Sequence, residues 1–113
     1  MAFANSAKNA ALDGIGVVAV RMSLHSADPG TTGASEIAGG GYARQTCVWS
    51  AASVGSMALA GNEVFSVEAG DTVAWAGLFR VDDTTFLLGI DLPDETFGIA
   101  GTYTVTTATT LTA

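Results

Sequence analysis

The chain has 113 residues, of which 49% are hydrophobic and only 13% charged, and its formal net charge is −7. That mixture excludes intrinsic disorder, which needs high charge and low hydrophobicity, and it provides for one core rather than two. The four basic residues, Lys8, Arg21, Arg44 and Arg80, form no cluster of the kind that neutralises phosphates, so neither nucleic acid nor an anionic membrane is an expected partner.

Residues 5–13 predict a short helix: Asn5 or Ser6 can cap its start, alanine favours its interior, and Asp13-Gly14 ends it. The apolar run 15–20 is far too short to span a bilayer. Asp13 and Gly14 stand where the hydrophobic region of a signal peptide would begin, so no targeting signal is read. The run instead opens a strand over 15–24. Val18, Val20, Met22 and Leu24 share one face and Arg21, Ser23 and His25 the other, the period-2 signature of a half-buried strand.

Asp28-Pro29-Gly30 stops that strand, because proline fixes φ and lacks a donor while glycine accepts positive φ. Residues 27–41 then read as an extended surface loop or arm, with Ile37 its one bulky apolar side chain after Gly30. A strand over 42–50 has mixed faces, Tyr42, Arg44, Thr46 and Val48 against Ala43, Gln45, Cys47 and Trp49, as at an edge or interface. Segments 56–60 and 63–67 predict a hairpin turned at Gly61-Asn62.

Residues 71–81 predict the central strand. Val73, Trp75, Phe79 and Val81 line one face, and Ala74, Ala76 and Leu78 make the other nearly as apolar. Its expected antiparallel partner is 84–91, carrying Phe86, Leu88 and Ile90, with 92–95 breaking the strand. The threonine-rich tail 101–113 predicts one long outer strand. About seven or eight short strands with turns between them imply a mostly β fold, a single small antiparallel β-sandwich or jelly roll with a short N-terminal helix and a long glycine-rich loop.

Chemistry is sparse. The single Cys47 excludes an intrachain disulfide and a cysteine zinc site, and it reads as a small apolar filler beside Trp49. Ser23, His25 and Asp28 contain the residue types of a catalytic triad. A nucleophile and base two residues apart on an extended strand are poorly oriented, however, so His25 reads as a surface histidine bonding into the loop. The acidic turns Asp82-Asp83 and Asp91, Asp94, Glu95 lack calcium-loop spacing, and Gly39-Gly40-Gly41 is followed by no phosphate-loop lysine. Trp75 reads as core; Trp49 is either core or a sugar-stacking platform. No catalytic, cofactor-binding or metal-ligating residues are assigned, and the chain is not expected to be an enzyme.

The segment LHSADPGTTGASEIAGGGYARQ, residues 24–45, resembles one found in small virion structural proteins of actinobacterial tailed phages, variously labelled head decoration (head fibre), tail fibre or minor tail proteins. FANSAKNAALD, GNEVFSVEAGDTVAWAGLF and GTYTVTTATTLT extend the likeness over most of the chain, although Gly39-Gly40-Gly41 is richer in glycine than the family's Gly-Gly-Ser. The resemblance implies a capsid decoration protein, made in the host cytoplasm and located on the virion exterior. It would bind the major capsid protein and its own copies, as a homotrimer. Expected contact residues are Phe3, Ala7 and Leu12 of the helical segment, Asp28, Pro29, Gly30, Thr31, Thr32 and Ile37 of the arm, and Tyr42 and Arg44 beyond it. The alternative is a tail fibre or minor tail module gripping host cell-wall carbohydrate.

Overall fold

A computed structural model describes residues 2–113 as one helix and eight strands: α1 Asn5–Val18, β1 Arg21–His25, β2 Gln45–Thr46, β3 Ser56–Ala58, β4 Glu63–Val67, β5 Thr72–Phe79, β6 Phe86–Thr96, β7 Gly101–Val105 and β8 Thr110–Thr112. A four-stranded antiparallel sheet has the order β2-β1-β5-β6, and two further pairs, β3-β8 and β4-β7, complete a small β-sandwich. One cluster of buried side chains joins the layers: Leu12 from α1, Met22, Leu24, Val73 and Leu78 from the sheet, Met57, Phe65, Val67, Val105 and Leu111 from the paired strands, and Leu59 just beyond β3.

The helix runs five residues beyond its expected end at Asp13, through Gly14 to Val18. Tertiary contact overrides the local stop signal. Asn9 Oδ1 accepts the Gly55 amide at 2.8 Å and Asp13 Oδ1 accepts that of Ala52 at 2.8 Å, so both side chains bind the 52–55 turn. At Gly16 a side chain would lie 3.3 Å from Met57 Sδ, so glycine lets the helix approach β3 closely. Strand β1 consequently begins at Arg21 rather than residue 15.

The segment 42–50 is not one strand. Gln45–Thr46 pairs with β1, then the chain crosses over: Ala60 N–H donates to Val48 O and Trp49 bridges Leu59. The segment thus turns a corner of the sandwich. The tight turn that returns it is Val54-Gly55, both at positive φ (52° and 73°) and closed by Ser53–Ser56 hydrogen bonds in both directions. Gly61 and Asn62 are not at positive φ, so the expected hairpin does not form there. β3 and β4 pair instead with β8 and β7, and the tail is split by a turn in which Asn62 Oδ1 accepts the Thr107 amide.

β5 lies between β1 and β6, as its two apolar faces require. β6 continues through 92–95 instead of ending there. Two steps on β5, from Val73 to Trp75, face four on β6, from Glu95 to Asp91, so the strand bulges between those two paired positions and does not end. Pro93 is tolerated because β6 is an edge strand. Of the two readings open for Trp49 the core one holds, and Trp75 is less buried than expected. Trp49 is buried and its indole N–H donates to Ala19 O at 3.0 Å, whereas Trp75 is half-buried and Val81 is exposed.

Candidate functional site

The polar groups of this chain converge where the 26–44 loop meets β1 and β5. Ser23 and His25 point to the same side of β1 toward Gly77, the register partner of Ser23. A Cβ at Gly77 would stand 2.5 Å from His25 Nε2 and 2.6 Å from Ser23 Oγ, so the pair occupies the volume that a side chain would need. His25 Nδ1 lies 2.7 Å from the Ala34 carbonyl, which can only accept. Nδ1 therefore carries the proton, Nε2 is left as acceptor, and Ser23 Oγ–H donates to it at 2.7 Å.

That polarity is the one a hydrolytic serine needs, with a backbone carbonyl in place of the carboxylate. Asp28 is elsewhere, its Oδ1 accepting the Gly30 amide in an Asx turn. Ser23 and His25 are both fully buried, which corrects the expectation of a surface histidine, though the bond into the loop is present. Burial disfavours the imidazolium and holds His25 below its ordinary value. The Ala34 hydrogen bond and the Glu36 charge oppose the shift, and Arg44 adds to it. As folded, the pair locks the loop to the sheet and offers Ser23 to no substrate.

Glu36 is the second fastening. Its bridge to His25 brings its carboxylate between Tyr42, which donates its hydroxyl at 2.7 Å, and Arg44, which donates Nε and a terminal nitrogen at 3.0 and 2.8 Å. Desolvation pushes Glu36 upward, but the Arg44 and Tyr42 hydrogen bonds outweigh it and its net shift is downward. Tyr42 is pushed well upward by burial and then by Glu36, and its oxygen also accepts the Leu24 amide at 3.0 Å. The Arg44 guanidinium lies 3.7 Å over the Phe79 ring and continues to Asp83, where Arg21 Nε also donates at 2.9 Å.

The expected arm is therefore an ordered loop folded onto its own sheet. Pro29 is buried where a Cβ at Gly89 would meet it at 2.7 Å, and Ile37 is buried with its amide donating to Leu24 O. Leu12 lies in the core. Pro29 and Ile37 are spent inside the chain, and Tyr42 and Arg44, both half-buried, direct their polar groups inward. Phe3, Ala7, Asp28, Gly30, Thr31 and Thr32 are exposed. Sequence reasoning missed Glu36, whose one signal was a carboxylate six and eight residues before Tyr42 and Arg44.

Elsewhere, Cys47 is buried and its thiol is pushed up to about 11, by desolvation first and then by Glu63. Among the described residues no His, Cys, Asp and Glu side chains gather in a group that could hold a metal ion, and no helix is long and apolar enough to cross a membrane. Compared with family models, curated proteins and solved structures, the chain matches none.

Proposed function

We propose that this chain is a structural subunit built to be fitted against other protein: a phage capsid decoration protein that docks on the outer surface of the head as a homotrimer and stiffens the shell. The observation that carries the docking role is the character of the exposed surface. Val17, Val81 and Ile99 are 77–81% exposed and Phe3 60%, on a chain with only 13% charged residues. Single exposed apolar side chains are ordinary, but so many on so weakly ionic a surface favour a chain that is covered when it works.

The phage assignment rests on the family resemblance of residues 24–45 and the flanking segments, with the major capsid protein as the partner. The fastened loop suits this role: Thr31 and Thr32 stand at the tip of a loop whose base is held by Glu36, Arg44 and His25, a pre-ordered contact that loses little entropy on docking. Cryo-electron microscopy of intact particles, with native mass spectrometry of the purified chain, tests the reading. Density at the three-fold positions of the head and a trimer support it; density confined to the tail supports the carbohydrate-gripping alternative and removes the decoration role.

A further inference from the structure

Among the described residues, β6 and β8 each have a backbone partner on one side only, β5 and β3 respectively. Between them runs an apolar groove of about 550 Å³, floored by Leu12 and Ile15 of α1 and walled by Leu88 and Ile90 on β6 and Leu111 on β8. It continues into a second stretch of about 360 Å³ that shares Ile90 and Thr110 and reaches Asp91, Leu92 and Pro93. From Leu88 to Pro93 the groove follows six residues of edge strand, about 20 Å at the usual strand rise, the length of a five- or six-residue peptide. The half of β6 at 86–90 has neither charge nor proline, the devices by which edges are normally blunted, whereas Pro93, Asp94 and Glu95 protect the other half.

We infer that this groove is a strand-acceptor site, which takes an extended segment of another protein whose apolar side chains alternate and whose flanks carry lysine or arginine. The backbone of that segment would bond to the free edges of β6 and β8 and join the two sheets, while its alternate side chains enter the groove toward Leu12, Ile15 and Leu111. Charge selects the occupant. Among the described residues no basic one lines either stretch, Asp91 lies in the second, and Asp94 and Glu95 follow on the same strand. At this groove a second copy of this chain, at −7, sets acid against Asp91, Asp94 and Glu95, so the copies of the proposed trimer meet on other faces, whereas a basic strand completes the pairing here.

The inference rests on reading the chain as a docking module, and its test is separable from particle imaging. A chain located on the head whose groove takes no peptide keeps the module and removes the groove. The probes are two synthetic hexapeptides, Lys-Val-Thr-Val-Thr-Lys and Glu-Val-Thr-Val-Thr-Glu, with amide hydrogen exchange read by NMR on the intact chain. The lysine peptide is expected to protect amides of 87–91 and 110–112 at concentrations below about 1 mM, and the glutamate peptide to bind at least about tenfold more weakly. The double variant Asp91→Lys, Thr110→Lys changes two exposed side chains that line the groove. It is expected to reverse the preference, with its thermal melt confirming that it is folded. Equal binding of both peptides, protection elsewhere or no protection at about 1 mM would overturn the inference. So would protection of the same amides that rises with protein concentration alone, since a second copy would then be the occupant.

Discussion

The loop 26–44 should be held chiefly by Glu36, and replacing Glu36 with alanine tests this directly. The substitution removes one hydrogen bond from Tyr42 and two from Arg44, at 2.7, 3.0 and 2.8 Å. It leaves the Arg44 guanidinium with the Phe79 ring and Asp83. Removing a charged partner costs about 1.5–3 kcal/mol per hydrogen bond, but the three share one carboxylate and do not add. Glu36 and Arg44 side chains are 23% and 21% exposed, so water recovers part of the loss. The net expectation is about 2–4 kcal/mol. For 113 residues the unfolding entropy is roughly 0.24 kcal/mol/K, so a loss near 3 kcal/mol lowers Tm by about 12 °C.

Urea denaturation measures the total, and hydrogen exchange locates it. The Ile37 amide, which donates to Leu24 O, and the Gly33 and Ala34 amides, which donate to Pro29 O, should lose protection before those of β5. A double-mutant cycle with Arg44→Ala should return a coupling of at least about 1 kcal/mol. A loss below about 1 kcal/mol with unchanged loop protection would refute the idea that the carboxylate fastens the loop.

Gly77→Ala should cost about 1–3 kcal/mol by denaturation, because its Cβ meets His25 and Ser23, and adding Ser23→Gly should recover part of that. Val54→Asn should raise stability by about 1 kcal/mol, since a β-branched residue at φ 52° is replaced by one that tolerates the left-handed region; a fall in the urea midpoint would count against the turn. His25 is held neutral when folded, so the unfolded chain binds more protons as pH falls. Its contribution is complete above the ordinary histidine value of 6.5 and is lost as pH drops below that toward the lowered folded value, a slope that His25→Gln should abolish. Trp49→Ala should cost about 3–5 kcal/mol, more than Trp75→Ala, because Trp49 is the one buried; the opposite order in urea melts would show the packing to be misassigned.

The chain alone determined the mostly β class, the central place of β5 and the loop at 27–41, because each depends on periodicity, charge content or a proline-glycine break that residues carry locally. Only tertiary structure decided the partners. Asp13-Gly14 reads as a helix stop until Asn9 and Asp13 find the 52–55 turn. Gly61-Asn62 reads as a hairpin until the tail pairs with both flanking strands and Val54-Gly55 takes the tight turn instead. His25 reads as a surface residue because a histidine on a polar-looking strand face gives no sign that a glycine opposite, at 77, has cleared a space for it. Local propensity is worth tenths of a kcal/mol per residue, and a buried contact between segments far apart in sequence outweighs it.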